Sequence, residues 1–264
     1  MSLKSFEKNI QSQFGEDGVI EEIFNRIGTT NKICVEFGAW DGIHLSNAWN
    51  LWHNKEWETL LIEGDKEKYE VLVANTKEFK NVHPYLAYVT PEGENSLDSI
   101  LKKINFPKDL DLLSIDIDGD DYYIFENILE FTPRLILVEY NPTIPPEIEI
   151  RQEKGEYFGS SALSLLNLSH AKGYKLAHMT DTNMFFVIKS EFIKLDFDEP
   201  LLGSFFINKH LTYLISSYDG KTFLAGPATY SEFEKINSSI RYPQIISNNK
   251  TVNKVVVYKA KLKF

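Results

Sequence analysis

The stretch Lys32-Ile33-Cys34-Val35-Glu36-Phe37-Gly38-Ala39-Trp40-Asp41-Gly42 decides how the rest of the chain is read. An apolar run rich in β-formers meets an acid and then breaks into glycines. That is the pattern of a buried parallel strand entering a tight turn, with a helix expected beyond it. Glycine at Gly38 and Gly42 lets backbone approach a ligand closely, and an acid such as Glu36 or Asp41 binds hydroxyls or a cationic group. A second apolar run, Thr59-Leu60-Leu61-Ile62, ends in Glu63-Gly64-Asp65. An acid at the tip of the second strand is where dinucleotide-type folds hold ribose hydroxyls. The two tips together predict a pocket for a nucleoside-bearing cofactor.

Outward from this centre, strand and helix patterns alternate. Val19, Ile20, Ile23, Phe24 and Ile27 recur at helical spacing, predicting an amphipathic helix over 16–27. The segment before it, Gln13-Phe14-Gly15-Glu16-Asp17, reads first as that helix's cap and second as a segment that folds over the cofactor through Gln13. A helix is expected over 46–52 with Ser46 as its cap, and others over 66–77, 95–104, 122–129 and 160–171. Strands are expected over 59–63, 82–89, 110–119, 134–139, 174–179 and 184–188. This alternation predicts an α/β fold: a Rossmann-like, doubly wound, mostly parallel sheet with an antiparallel closing strand. Right-handed crossovers then bring the carboxyl ends of the strands along one ligand-binding edge. The proline-rich and then charged connection over 141–159 has the character of a substrate lid. Beyond Lys189 the pattern becomes β-leaning, with a hairpin over 211–224 and a strand over 252–262. The expected organisation is a cofactor-binding domain over 1–189 and a β-rich appendage over 190–264, for acceptor binding or formation of a homo-oligomer.

The 28 basic and 38 acidic residues leave a formal charge of −10, which argues against nucleic acid or an anionic membrane surface as partner. The late lysines Lys250, Lys254, Lys259, Lys261 and Lys263 alternate with apolar residues, as on one face of a strand. The single cysteine, Cys34, excludes an internal disulfide framework, so a reducing, cytoplasmic setting is expected. No apolar run is long enough to span a bilayer, and membrane insertion is not expected.

The second chemically informative cluster is Asp116-Ile117-Asp118-Gly119-Asp120-Asp121. On a strand, Asp116 and Asp118 share a face near the carboxyl end, and the next strand ends in Glu139-Tyr140-Asn141. Carboxylates and an amide oxygen converging there suit a hard divalent cation, magnesium or manganese. The plainer alternative is an acidic turn that caps the following helix through Asp120 or Asp121. His44 and His178 are the histidines that the topology brings toward this edge, as candidates for a general base. Trp40 either packs in the core or lines a purine or sugar pocket. The Asp-x-Asp pattern also fits a metal-dependent glycosyltransferase, and a non-catalytic scaffold of the same fold is a third reading.

Five segments occur in a telling order: Gln11-Ser12-Gln13-Phe14-Gly15-Glu16-Asp17-Gly18, Val35 to Gly42, Leu61-Ile62-Glu63-Gly64, Ser114 to Tyr122, and Val138-Glu139-Tyr140-Asn141-Pro142. Together they resemble the FkbM-type S-adenosylmethionine-dependent methyltransferases over roughly residues 10–190. The resemblance implies S-adenosylmethionine as cofactor, with Glu36 and Gly38 at its methionine part and Glu63 on the ribose. Gln13, Asp41, Gly42, Gly64 and Asp116 complete the expected cofactor edge. It implies O-methyl transfer to a sugar or nucleotide-activated sugar, as in the making of a bacterial surface polysaccharide. Related sugar and catechol methyltransferases hold a divalent metal at the ends of strands four and five, by position Asp116 or Asp118 with Glu139 and Asn141. Their lysine or histidine base falls here on Gly119 or Asp121, so the expected catalytic set is Asp118, Asp121, His44 and His178. The fuller form of the first motif has glycine where this chain has Trp40. Phosphates on an acceptor would be met by Arg151 or Lys154, or by a metal.

Overall fold

Every residue of β1 (Ile33–Phe37) is buried, which a strand achieves when both faces of its sheet are covered. The computed structural model, which describes residues 2–205, 213–216, 218, 222–225 and 244–245, makes β1 an interior strand of a seven-stranded sheet. Its other strands are β2 (Glu58–Glu63), β3 (Val82–Leu86), β4 (Leu112–Ile115), β5 (Leu135–Glu139), β6 (Tyr174–Met179) and β7 (Asn183–Ile188). The order is β3-β2-β1-β4-β5-β7-β6. β1 to β5 pair in parallel, and β7 runs antiparallel between β5 and β6. This is the mostly parallel α/β sheet with an antiparallel closing pair that the alternation predicts.

Successive strand residues point into opposite layers. Cys34, Leu61, Leu112 and Leu137 pack with Val19 and Ile23 of α1 (Glu16–Ile27), Trp52 of α2 (Trp49–Asn54) and Leu72 of α3 (Lys66–Thr76). Val35, Phe37, Leu113 and Ile136 pack on the other face with Ile100 of α4 (Leu97–Lys103), Phe125 of α5 (Asp121–Asn127) and Leu165 of α6 (Ala162–Ala171). The sheet is therefore doubly wound. Among the described residues, no helix is long and apolar enough to cross a membrane.

Three element boundaries differ from expectation by three residues or more. β4 ends at Ile115 rather than 119, because the Asp121 carboxylate accepts from Ile117 N and Gly119 N and takes those donors out of the ladder. β3 ends at Leu86, three residues early, where the Ala87 N–H still reaches Glu63 O before the chain turns away. α2 begins at Trp49, with Ala48 as N-cap and no side-chain cap. Ser46 acts a turn earlier, its Oγ accepting from Ala48 N and Trp49 N.

Past β7, α7 (Lys189–Phe192) and the turn after it bury Phe192 and Leu195 in the core of the sheet domain. β8 (Tyr213–Ser216) and β9 (Thr222–Ala225) form the expected antiparallel hairpin, with β10 (Gln244–Ile245) pairing to β9. The strand expected over 252–262 and the late lysines lie outside the described residues.

Candidate functional site

The chain leaves β1 toward β2 and β3, then crosses back to β4 on the other side. The carboxyl ends of β1 and β4 thus flank the point where the winding reverses, the place where open α/β sheets bind ligands. Gly38 makes this edge possible. Its φ is +76°, and a Cβ built there would lie 1.7 Å from the Asp116 carbonyl oxygen. The exits of β1 and β4 touch backbone to backbone.

Glu36 is 4% exposed. Its Oε2 accepts from Ser46 Oγ (2.5 Å), and its Oε1 accepts from Asn47 N (2.8 Å) and Ala48 N (3.3 Å). Asn47 Nδ2 donates in turn to Ser114 Oγ of β4 at 3.1 Å. Burial outweighs these bonds and pushes the Glu36 carboxyl up to about 7. Glu36 therefore holds the 46–48 segment against the sheet edge.

Glu63 joins the two strand tips: Oε2 accepts from Trp40 N (2.8 Å) and Oε1 from Asp65 N (2.7 Å). A carboxylate oxygen has a second lone pair, so ribose hydroxyls can still bind there. Trp40 has a φ of +49°, the left-handed region that glycine occupies without cost, which explains why the fuller motif carries glycine here. Its indole is half exposed, with Lys68 Nζ 4.2 Å above the ring. Asp41 Oδ1 accepts from Ile43 N and His44 N and so shapes the turn, while Gly42 (φ +78°) passes against Leu72. Gly64 lies under the Tyr88 ring, where a Cβ would come within 2.4 Å.

The 9–17 segment is folded back on itself. Asp17 Oδ2 accepts from Ile10 N, Gln11 N, Ser12 N and Ser12 Oγ at 2.7–2.8 Å. Gly15, at φ 103°, is the N-cap of α1, so the segment caps the helix as expected, though through backbone and not through a side chain of the cap residue. Ser12 Oγ takes the Asp17 N–H instead. Glu16, fully buried, reaches Thr180 Oγ1 at 2.6 Å. Gln13 is exposed, its carbonyl accepting from Asn9 Nδ2.

Asp116, Asp118 and Glu139 each bring a carboxylate oxygen within 4.8 Å of the others. The pleat of a strand does not do this. Both aspartates lie past the end of β4, and Asp118 sits at φ +56° in a turn tied by Asp121. Three oxygen donors in that span match the ligand type of magnesium or manganese. Burial and the carboxylates of Asp121, Asp118, Glu36 and Glu16 hold the Asp116 carboxyl well above its ordinary range. Burial also moves Asp121 up to about 6, against the N–H bonds of Gly119 and Ile117.

Asp118 and Glu139 of the trio open on a cleft of about 210 Å³, lined also by Asp121, Asn141, Tyr157 and Phe158. Asn141 orders its wall: Oδ1 accepts from Thr143 N (2.9 Å) and Thr143 Oγ1 (2.6 Å), and Nδ2 donates to Phe158 O (2.6 Å). Neither expected histidine lines this cleft. His44 is exposed beside Trp40, at a ring distance of 5.1 Å. His178 is buried on β6, its Nε2 2.9 Å from Glu7 Oε1, and burial lowers its pKa.

Gln152, only 1% exposed, is a residue that sequence patterning misses. Its Nε2 donates to Asp120 Oδ1 (3.1 Å) and Glu156 O (2.7 Å), and its Oε1 accepts from Phe158 N (3.2 Å) and Gly159 N (2.7 Å). A lone glutamine in a charged loop carries no periodic signal that would mark it. Gln152→Ala leaves these partners unmet and is expected to cost about 2 kcal/mol. Urea unfolding and limited proteolysis check this, with new cleavage expected within 153–158; an unchanged midpoint and digestion pattern would contradict it.

Residues 46–176 match the family model described as the methyltransferase FkbM domain. No curated protein matches the chain. Among solved structures it is similar to the N-terminal domain of EvdMO1 with SAH bound, at 13% identity and a TM-score of 0.43, over 65% of this chain and 79% of that one. It is similar to the citrinin polyketide synthase CMeT domain, at 11% identity and a TM-score of 0.42, over 66% of this chain and 51% of that one, about half its length. A SAM-dependent methyltransferase from Aquifex aeolicus shares 10% identity at a TM-score of 0.39, over 70% of this chain and 94% of that one. At these values the structural likenesses carry no argument about substrate or chemistry.

Proposed function

The chain carries a methyltransferase FkbM domain over residues 46–176, and from that premise we propose that it moves the methyl group of S-adenosylmethionine onto a hydroxyl of a sugar. One observation carries the reading. Asp116, Asp118 and Glu139 bring carboxylate oxygens within 4.8 Å of one another, and the charges that act most on Asp116 are the carboxylates of Asp121, Asp118, Glu36 and Glu16. A cluster of this kind is costly unless a cationic ligand meets it, and the proposed cofactor presents a sulfonium and an ammonium.

Glu63 is positioned to take the ribose hydroxyls beside the Trp40 turn, and Glu36 to keep the 46–48 segment in place. When bound, the cofactor supplies a methyl that is already activated, so holding the acceptor in line with it provides much of the rate. Asp116, Asp118 and Glu139 would hold a divalent cation, which would lower the pKa of an acceptor hydroxyl. Asp118, exposed at the cleft, is the carboxylate placed to receive that hydroxyl's proton, and Asp121 fixes the turn that carries it.

Calorimetry with S-adenosylmethionine and S-adenosylhomocysteine tests the reading, followed by transfer assays on a sugar panel with and without EDTA. Binding of both nucleosides is expected. Glu63→Ala is expected to weaken it about thirtyfold, the equivalent of one charge-assisted hydrogen bond of ~2 kcal/mol. Heat from uridine diphosphate with manganese but from neither nucleoside would favour glycosyl transfer and overturn the proposal.

A further inference from the structure

We propose that Tyr157 and Phe158 form an aromatic platform that stacks on one uncharged sugar ring, so that the acceptor of this site is a neutral glycoside rather than a nucleotide sugar. The inference rests on the methyl-transfer reading above and names the acceptor end of the same site.

The loop that carries the pair is tied at its base, its middle and its tip. Ser161 N donates to Ile150 O (2.8 Å), Ile150 N to Ser161 Oγ (2.9 Å), and Asn141 N to Ser160 O (2.9 Å). Inside the loop, Gln152 bonds Asp120, Glu156, Phe158 and Gly159, and Gly155 N donates to Asp120 Oδ1 at 2.8 Å. Tyr123 Oη donates to Gln152 O at 2.7 Å. Yet Tyr157 is 87% exposed and Phe158 43% exposed at the mouth of the cleft. An ordered loop thus holds aromatic side chains, the Tyr157 ring above all, at the surface beside the cleft.

Across the cleft, Asp118 and Glu139 are acceptors when ionised. Acceptors on one wall and aromatic surface on the other match a pyranose, which has hydroxyls at its edge and C–H bonds on its face. The volume of about 210 Å³ is below the ~300–1,000 Å³ of pockets for drug-sized ligands, and it suits a single ring.

The loop's cations are directed elsewhere. Arg151 lies over the Tyr122 ring at 4.8 Å and 3.8 Å from Glu149. Lys154 pairs with Glu92 at 2.9 Å and lies 5.1 Å from the Tyr123 ring. Neither lines the cleft, so a phosphate there would find no side-chain cation, only the divalent ion proposed on Asp116, Asp118 and Glu139, whose two charges those three carboxylates would already offset. The expectation that these two residues receive acceptor phosphates therefore has no support in the geometry.

Saturation-transfer NMR on the full chain tests this, with the methyl glycosides of galactose, mannose, glucose and rhamnose and with uridine diphosphate galactose as the charged probe. At least one neutral glycoside is expected to receive saturation at its ring C–H protons. Its Kd is expected to rise about tenfold in Tyr157→Ala and in Phe158→Ala, and to stay unchanged in Tyr157→Phe, which keeps the ring. The platform is overturned if no neutral glycoside responds, if only the charged probe does, or if both alanine variants bind like the wild type. Calorimetry with S-adenosylhomocysteine runs in parallel. Its failure overturns the methyl-transfer reading, whereas normal cofactor binding beside a silent glycoside panel overturns the platform alone.

Discussion

Gly38→Ala is expected to lose about 4 kcal/mol of stability, the sum of ~1 kcal/mol for a left-handed alanine and ~3 kcal/mol for steric overlap. The backbone at Gly38 has a φ of +76°, and its Cβ would sit 1.7 Å from the Asp116 carbonyl oxygen. No rotamer relieves that contact, because both partners are backbone. The exits of β1 and β4 would have to separate, and with them the edge on which Glu36, Glu63 and Asp116 meet. Gly173→Ala is the control. It has a φ of +85° but no atom of the described residues within 4 Å of the added Cβ, so it pays the conformational cost alone, about 1 kcal/mol. Urea unfolding followed by circular dichroism separates the two. Equal losses would mean that close approach between the strand exits is not what Gly38 serves.

The same two strand tips mark how far local sequence carries. β1 and β2 are legible because a buried parallel strand leaves a continuous apolar run, and because glycine and acid end it abruptly. The alternation of such runs with helical spacing then suffices for the doubly wound sheet. What stays hidden depends on polar side chains that take backbone N–H groups, which hydrophobic periodicity does not record. Asp116 and Asp118 do face one site, but a turn held by the Asp121 carboxylate brings them there, not the alternation of a pleat. α2 starts late because the carboxylate of Glu36, one strand away, binds the N–H groups of Asn47 and Ala48. Gln152 ties its loop by bonding Glu156, Phe158 and Gly159, and no neighbour in sequence announces it. The histidines show the converse. Topology brings β6 near the right edge, yet His178 turns toward Glu7 and away from the cleft, a choice made by packing that no spacing rule encodes.

Stability is expected to fall as pH rises from about 5 to about 8, with roughly 3 kcal/mol of the fall owed to Glu36 alone. Burial raises this carboxyl from an ordinary 4.5 to about 7 in the folded chain. Between those values the folded state holds a proton that the unfolded chain has released, so acid favours folding. The contribution is complete below about 4.5 and is lost as pH climbs through about 7. This is the reverse of a salt-bridged carboxylate, whose contribution disappears in acid. Glu36→Gln removes the proton but keeps a carbonyl oxygen for Asn47 N and Ala48 N, so the slope should flatten in that variant. The difference between wild type and variant, measured by urea unfolding across the range, isolates the group from the rest of the chain. Ligand binding supplies a second readout of the same physics. A cationic nucleoside beside Glu36 and Asp116 favours their ionised forms and must expel protons as it binds. Calorimetry near pH 7 in buffers of different ionisation enthalpy should report that release, and less of it in Glu36→Gln. A wild-type slope identical to that of the variant would mean that Glu36 is already ionised in the folded protein, and that the edge is less shielded from water than its burial implies.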